Sequence, residues 1–534
     1  MARFFRAEVA FFVLALLGTM LAYRERGFYD PGALWHVKVG ELILAQGFPH
    51  TDPFTYTFSW QTWIPQQWGG EVLMALAHRA GGFDTMLLGF AVLIATLYTL
   101  IFRRCLQGGM GPLLAGMIVG GCLFVGAFHY FVRPHMFTIA LLAWTMMCVV
   151  DFERGRCGVG RLAWLIPLFV AWTNLHGGVL GGTMTLGLAV AGWGLLFLKA
   201  QVRKSQVPSQ QPSSDLGLGT CGLVTPIRSW RTAWLLVGIV VACGLTPFVN
   251  PFGMEMLHTW NRIVGSKVLP ELVNEHMPLD PTSPLGFVVI LFGAFYLFML
   301  AGATKDGLRV SWLVPLAWFV LSFKGIRQGP LFAITGAVAL ADMWPHTLWH
   351  RVLKKHSDGT LVREPDERRG WAWAAVPAGV VLLVLGLQVG MVQVPVVGSG
   401  WARLSPEFIP TELNDHVREY AASVPPGTRV FNDANLGGYL IYHAPSLRIF
   451  MDDRCELYGD GWIKAYADTL SLPPDRLGPV FEELADGWKF DRAFVMTNPP
   501  GQDPPSLEQY LLSATGKWKE VARAQRAVVF ERVR

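Results

Sequence analysis

Two carboxylates and two histidines lie close together near the start of the sequence. Asp30 follows the first apolar stretch, with His36 soon after it, and the next polar segment contains His50 and Asp52. A carboxylate can take the proton of an attacking hydroxyl, and mixed His and carboxylate sets suit several divalent metal ions. The spacing of the four matches no strong metal motif, so the need for a divalent metal stays open. Structural roles also stay open, because Asp30 could cap a helix and Asp52 could open a turn.

A second set of polar residues is basic and stands at the ends of later apolar stretches. Arg133 and His135 flank Pro134, and His176 and Arg327 occupy similar positions further along the chain. Fixed cations in such places could hold a phosphate group. Arg133 could instead be an interfacial anchor, and the histidines could bond neighbouring helices. The same segment ends carry further polar residues, namely Asn174, Asn250, Glu271, Glu275 and Lys324.

The composition indicates what kind of chain must position these residues. Of 534 residues, 52% are hydrophobic and only 16% are charged, with a mean hydropathy of +0.36, whereas soluble domains carry about 25% charged residues. A soluble protein is therefore excluded. The net charge of +5 requires no nucleic-acid partner, because basic residues at helix ends set membrane topology.

The apolar residues are clumped into runs of membrane-spanning length, which predicts a polytopic helical membrane protein. Eleven spans are predicted, at about 8–23, 83–102, 111–129, 135–150, 162–174, 178–198, 233–247, 285–302, 311–323, 329–344 and 372–394. With the N-terminus in the cytoplasm, the cytoplasmic segments carry more than twice as many Lys and Arg as the loops opposite. This bias predicts a plasma (inner) membrane protein whose residues 395–534 are extracytoplasmic. All the polar segment ends described above, and the long first loop 24–82, then face the outside.

The chain divides into a membrane domain, 1–394, and a tail domain, 395–534. Segments 201–231 and 351–370 have the composition of cytoplasmic linkers. The tail predicts an α/β domain. Its expected helices are 410–423, 459–470, 474–486 and 506–514, and its expected strands are 428–431, 447–451, 492–496, 518–522 and 527–532. Cys455 is the only cysteine on the outer side, so no disulfide is expected within the tail.

Two strings in the tail carry polar residues beside predicted strands. The first runs from Phe431 to Tyr439 and contains Asn-Leu-Gly-Gly, and the second contains Asp452-Asp453-Arg454. Polar residues at strand ends often line ligand sites in α/β sheets. The glycines could equally form a turn, and Asp452 with Arg454 could be only a structural ion pair.

The first loop contains two amphipathic segments, 34–46 and 68–80, which are typical of helices lying along a membrane interface. Together with the connector between them they carry a recognisable pattern, Asp30-Pro-Gly-Ala-Leu-Trp35-His36, Gly47-Phe-Pro-His50-Thr-Asp52-Pro-Phe-Thr-Tyr56 and Trp68-Gly-Gly-Glu71. This pattern resembles the GT-C superfamily of integral membrane glycosyltransferases. The resemblance is to bacterial proteins related to protein O-mannosyltransferases, oligosaccharyltransferase catalytic subunits and aminoarabinose transferases.

The resemblance implies an enzyme that transfers a sugar, with inversion, from a polyprenyl-phosphate donor to an external lipid, glycan or protein. Asp30, Asp52 and His36 are then the expected catalytic residues. Arg133, His135, His176 and Arg327 are expected to bind the donor phosphate. Membrane lipids are the other expected partners.

Other classes remain open from the sequence. A polysaccharide ligase or polymerase would also use external Arg and His residues, although it would typically place its large loop late in the chain. A transporter should show inverted repeats, and no matching halves are visible. A non-catalytic assembly protein also remains an alternative.

Overall fold

The structure is a computed structural model that describes residues 6–206, 225–303, 308–356, 360–366, 370–499 and 501–533. Most of the predicted linker 201–231, including Cys221, and parts of the linker 351–370 lie outside these residues. The six cysteines within the described ranges are free thiols.

Helices occur at each of the eleven predicted spans. In chain order the helices before the tail are α1 Ala7–Ala22, α2 Gly32–Gln46, α3 Trp68–Gln107, α4 Pro112–Gly126, α5 His135–Glu153, α6 Val159–Ala163, α7 Leu165–Leu175, α8 Val179–Gln206, α9 Trp230–Leu245, α10 Met254–Gly265, α11 Leu269–Leu272, α12 Pro284–Ala301, α13 Val310–Ser322, α14 Gly329–Met343, α15 Leu348–His356 and α16 Ala375–Val389. Within the described ranges, seven helices are long and apolar enough to cross a membrane. Shorter apolar helices fill three further predicted positions, Ala7–Ala22, Val159–Leu175 and Val310–Ser322. The protein is therefore a multi-pass helical membrane protein, as predicted.

The two amphipathic segments of the first loop form helices that pack closely together. The first is α2, and the second is the initial part of α3, which bends into the span at Gly82, where φ is +68°. A Cβ on Gly40 of α2 would lie 2.1 Å from the carbonyl oxygen of Glu71 in α3. Only glycine permits this approach, so Gly40 fixes how closely the two helices pack.

Ion pairs join the helices at one end of the membrane domain. Arg103, at the far end of α3, lies 3.8 Å from Glu8 of α1, and Arg104 forms a double hydrogen bond with Asp151 at 2.8 and 2.7 Å. Because Glu8 begins α1 and Asp30 follows its end, this Glu8 end lies opposite the Asp30 end.

The tail is an α/β domain, as predicted. Its elements are α17 Asn414–Ser423, β1 Phe431–Asn432, α18 Ala434–His443, α19 Cys455–Leu470, α20 Pro474–Trp488, β2 Arg492–Met496, α21 Ser506–Ser513, β3 Trp518–Arg523 and β4 Ala527–Arg532. The strand order is β1-β2-β4-β3, in which only β1 and β2 pair in parallel. Buried residues of the sheet and its helices form the core of the tail.

Two tail segments differ from the sequence prediction. The Asn-Leu-Gly-Gly string at 435–438, for which a turn was one of the two interpretations, lies in helix α18. Residues 447–451 form only isolated parallel bridges, one on each side: Arg448 pairs with Arg429, just before β1, and Ile449 pairs with Thr55 of the first loop. The segment therefore joins the first loop to the chain that leads into β1.

The first loop and the tail share one hydrophobic core. Leu34, Trp35, Tyr56 and Trp63 of the loop are buried in the same cluster as the tail's apolar residues. The tail is thus fixed on the loop that contains Asp30. The boundary at residue 395 stays a prediction.

Candidate functional site at the Asp30 end

Asp30 and Arg133 form an ion pair at the Asp30 end of the membrane domain. One carboxylate oxygen of Asp30 accepts a hydrogen bond from the backbone N–H of Gly32 at 2.7 Å, which satisfies a donor at the start of α2. The other carboxylate oxygen contacts the Arg133 guanidinium. Both side chains are partly buried, so Asp30 has a capping contact and a charged partner at once.

The backbone around this pair is tightly fitted. Val132 donates a backbone hydrogen bond to Gly27 at 2.9 Å, which ties the segment before α5 to the segment after α1. A Cβ on Gly32 would lie 2.8 Å from the Asp30 carboxylate and 3.0 Å from the Arg133 guanidinium. Gly32 therefore leaves the space that the ion pair occupies.

Further charged and imidazole groups extend the cluster around Arg133. Glu275, from the loop between α11 and α12, has one oxygen 3.7 Å from Arg133 and the other 3.7 Å from His129. His135 begins α5, and its Nε2 lies 2.6 Å from the carbonyl oxygen of His129. The rings of His135 and His176 are 6.5 Å apart. Residues from four chain segments thus meet at one place.

Arg327 joins the same region through His276. Its guanidinium donates a hydrogen bond of 2.7 Å to His276 Nε2, and His276 is the residue after Glu275. Burial and the positive charge of Arg327 lower the pKa of His276 to about 4. His276 is therefore neutral at physiological pH and accepts the hydrogen bond from Arg327.

The hydrogen bonds of His176 engage Nδ1 as an acceptor and leave Nε2 as the donor nitrogen of the ring. The backbone N–H of Gly178 donates to His176 Nδ1 at 2.9 Å, and Thr138 contacts the same nitrogen at 2.8 Å. Burial, His135 and Arg133 together lower the pKa of His176 well below its usual value. The neutral ring then carries its proton on Nε2, where it can donate to an anion.

The tail contributes Asp453 to the electrostatics of this site. Its Oδ1 is buried and has no hydrogen-bond partner within the described part of the chain. Burial and the Asp30 carboxylate raise the pKa of Asp453 to about 7, and Arg133 opposes that rise. The tail therefore adds a third carboxyl group to the region of Asp30 and Glu275.

Asp52 and His36, both predicted to be catalytic, lie in other contacts. Asp52 is buried and forms an ion pair of 2.8 Å with Arg454 of the tail. His36 is buried on α2, and its Nδ1 lies 3.0 Å from a carboxylate oxygen of Glu71 on α3. The structure thus brings together Asp30, Arg133, His135, His176 and Arg327. His36 lies close to this group, because burial and the charges of Arg133, His176 and His135 lower its pKa well below its usual value.

The four residues considered as metal ligands have separate surroundings. Asp30 faces Arg133, His36 faces Glu71, Asp52 faces Arg454, and His50 is exposed. Within the described ranges, no group of three or more His, Cys, Asp or Glu residues is arranged to hold a metal ion.

The structure adds residues that the sequence-based site did not include. Glu275 lies at the end of a predicted segment, and this position was the signal in the sequence that could have placed it in the site. His129 and His276 follow no motif, and their roles appear only when the helix ends come together. Asp453 lay in a noted string, but nothing local to that string connects it with Asp30.

Comparison with known proteins identifies the fold. No protein-family model matches the sequence, and no curated protein matches it. A crystal structure of the Archaeoglobus fulgidus oligosaccharyltransferase, tethered with an acceptor peptide containing the NVT sequon, aligns over 92% of this chain and 69% of that one, with a TM-score of 0.51 and 12% identity. A crystal structure of ArnT from Cupriavidus metallidurans bound to undecaprenyl phosphate aligns over 98% and 97%, with a TM-score of 0.49 and 14% identity. The chain has the GT-C fold, which is the fold that the resemblance in the sequence predicts.

Proposed function

We propose that the protein is a membrane glycosyltransferase that transfers a sugar from a polyprenyl-phosphate donor to an extracytoplasmic lipid, glycan or protein. The observation that supports this most strongly is the Asp30–Arg133 ion pair, set among Glu275, Arg327 and His176 at one end of the apolar helices. A base and cations for a phosphate are the groups that such a transfer requires.

Asp30 is the base in this mechanism. The acceptor oxygen attacks the anomeric carbon while its proton passes to the Asp30 carboxylate, and the bond from that carbon to the phosphate oxygen breaks. The electron pair of the broken bond stays on the departing phosphate. A single displacement of this kind inverts the configuration of the anomeric carbon.

Arg133 and Arg327 bind the phosphate of the donor. An arginine bound to an anion in a partly buried site forms strong charge-assisted hydrogen bonds. When the phosphate binds, Arg133 divides its donors between the phosphate and Asp30, which leaves a lone pair of the Asp30 carboxylate free to accept the proton of the attacking hydroxyl. His176 supplies a neutral N–H donor, and His135 supports the same face from the start of α5.

Asp52 and His36 support the site without taking part in the chemistry. The carboxylate of Asp52 already accepts hydrogen bonds from Thr55 N at 2.9 Å and Phe54 N at 3.2 Å as well as contacting Arg454. A carboxylate whose lone pairs are engaged in this way is not placed to accept the proton of an attacking hydroxyl. His36 holds α2 against α3 through Glu71, and α2 begins directly after Asp30.

The orientation that this function needs places the Asp30 end outside the cytoplasm. The excess of Lys and Arg in the segments at the Glu8 end supports that orientation. The tail, which is packed on the first loop, then lies on the same outer side as the site.

Binding of a lipid phosphate tests the proposal. The purified protein in lipid nanodiscs should bind undecaprenyl phosphate more tightly than undecaprenol, which lacks the phosphate. Arg133→Gln and Arg327→Gln should each weaken binding by about tenfold or more, because a hydrogen bond to a charged group contributes about 1.5–3 kcal/mol. Arg476→Gln, on the exposed face of α20, is the matched control. Equal affinities for the two lipids would contradict the proposed function.

A further inference from the structure

Asp453 is placed beside the Asp30 site by two glycines of α18. A Cβ on Gly438 would lie 2.4 Å from the carbonyl oxygen of Pro31, the residue after Asp30. A Cβ on Gly437 would lie 2.4 Å from the Cβ of Asp452, the residue before Asp453. Helix α18 therefore fits between the segment that contains Asp30 and the segment that contains Asp453. Both residues lie close to this helix.

The backbone around Asp453 is held rigidly on its other side as well. The Tyr458 hydroxyl oxygen accepts a 2.9 Å hydrogen bond from the backbone N–H of Asp452. Arg454 donates from its backbone N–H to the Asp452 carboxylate at 2.9 Å. Asp453 is thus fixed by both chain neighbours, whereas its own Oδ1 is buried without a partner among the described residues.

The charges that face Asp453 come from both domains. Asp30 and Arg133 belong to the membrane domain, and Asp452 and Cys455 belong to the tail. Burial and the nearby carboxylates make ionisation of Asp453 costly, and Arg133 compensates for this only in part. A buried carboxyl group with a free oxygen and a raised pKa is well suited to donate a hydrogen bond from its protonated form.

We propose that Asp453 binds the lipid phosphate through a protonated carboxyl group, so that binding of the phosphate takes up a proton at this residue. This inference rests on the proposed function, because it requires that Arg133 and Arg327 hold a lipid phosphate. An ionised Asp453 would repel the phosphate, whereas the protonated form donates an O–H hydrogen bond to it. The incoming negative charge itself favours protonation of a neighbouring carboxyl group.

The proposal predicts a specific dependence of lipid binding on pH. With a pKa of about 7, Asp453 is about nine-tenths protonated at pH 6 and about one-tenth protonated at pH 8 in the absence of ligand. If only the protonated form binds the phosphate, the dissociation constant should rise about tenfold over this range from this residue alone. The phosphate also titrates near pH 6. The parent must therefore be compared with a variant that binds the same phosphate but lacks the titration of Asp453.

Asp453→Asn provides the comparison, because it keeps a hydrogen-bond donor that does not titrate. The dissociation constant for undecaprenyl phosphate is measured in nanodiscs at pH 6, 7 and 8 for the parent and the variant. The ratio of parent to variant values should rise about tenfold from pH 6 to pH 8. Asp453→Ser, which also donates without titrating, gives the same ratio if the Asn variant does not fold. Asp468→Asn, which changes an exposed carboxylate of α19, the helix that follows Asp453, should follow the parent at every pH.

The possible results separate this inference from the proposed function. Parallel pH profiles for the parent and Asp453→Asn, with undecaprenyl phosphate still preferred over undecaprenol, would overturn the role of Asp453 alone. Equal binding of undecaprenyl phosphate and undecaprenol would overturn both proposals. Inorganic phosphate is the third ligand. If the protein binds inorganic phosphate as tightly as undecaprenyl phosphate, the assignment of the site to a lipid phosphate is overturned.

Discussion

Asp52 of the first loop and Arg454 of the tail form an ion pair at 2.8 Å in which neither side chain is exposed. Arg454 also contacts the Asp452 carboxylate at 2.6 Å and lies over the ring of Trp63, 4.6 Å from its centroid. One guanidinium therefore joins two carboxylates and an aromatic ring from both segments. Because Asp453 lies between Asp452 and Arg454, this pair also helps to fix the tail carboxyl group near Asp30.

Removing Asp52 should destabilise the fold. Asp52→Ala leaves Arg454 buried with one carboxylate instead of two, and breaking a buried ion pair is costly. We expect a loss of about 3 kcal/mol in the free energy of unfolding, measured by chemical denaturation in detergent. Asp468→Ala, which alters an exposed ion pair of α19, should change stability by less than about 0.5 kcal/mol. Equal stabilities of the two variants would show that the pair does not hold the loop and the tail together.

Gly32→Ala should weaken phosphate binding more than it weakens the fold. The new methyl group would lie within 3.0 Å of both Asp30 and Arg133, and these side chains can move aside at the expense of their ion pair. We expect about tenfold weaker binding of undecaprenyl phosphate. Gly461→Ala, at a site in α19 with open space around it, should leave binding unchanged. Parental affinity in Gly32→Ala would contradict the placement of the phosphate at this pair.

Burial of His276 beside the charge of Arg327 should make stability depend on pH. The pKa of His276 is about 4 in the folded protein and near 6.5 when unfolded, so the unfolded chain binds more protons between these values. This residue's contribution to stability is therefore present above pH 6.5 and is lost as the pH falls towards 4.

A His276→Gln variant tests that contribution. The amide oxygen of Gln can still accept from Arg327, but it does not titrate. The slope of unfolding free energy against pH between 4 and 6.5 should be smaller than in the parent, by at most the equivalent of one proton. An unchanged slope would show that His276 binds as many protons in the folded protein as in the unfolded chain, so that its pKa is not lowered by folding.

The orientation of the protein can be tested with reporters. A periplasmic reporter fused after the C-terminus should be active outside the cytoplasm, because the tail lies at the Asp30 end. The same reporter inserted near Ser213, which lies outside the described residues, should be inactive. An active reporter at Ser213 would reverse the orientation and place the site in the cytoplasm.

Much of the fold follows from the sequence because its signals are local. A long apolar run specifies its own helix, and the strands at 492–496 and 527–532 alternate clearly enough to be located. Helix α18 was harder to predict, because Gly437 and Gly438 weaken the helical signal. These glycines are used for close packing on Asp452 and Pro31, which only the folded structure shows.

The site was predictable to the extent that it lies at span ends. Topology placed Asp30, Arg133 and Arg327 on one side, and the structure brings them together there. Asp52 shows the limit, because its partner Arg454 is far away in sequence and no local pattern predicts that ion pair. Asp453 shows the same limit from the tail, since its closeness to Asp30 depends on how α18 packs.

The central claim is that Asp30 acts as the base in transfer from a lipid-linked sugar. Asp30→Asn keeps the shape of the side chain and its contact with Gly32 but removes the basicity, so transfer should fall by about 10²- to 10⁴-fold. The direct measurement is mass spectrometry of polyprenyl-phosphate sugars in cells that lack the protein, complemented with the parent or with Asp30→Asn at equal expression. We predict that a lipid-linked sugar accumulates in the deletion strain, is consumed again with the parent, and remains accumulated with Asp30→Asn. Consumption of that lipid to the parental level by Asp30→Asn would contradict the account.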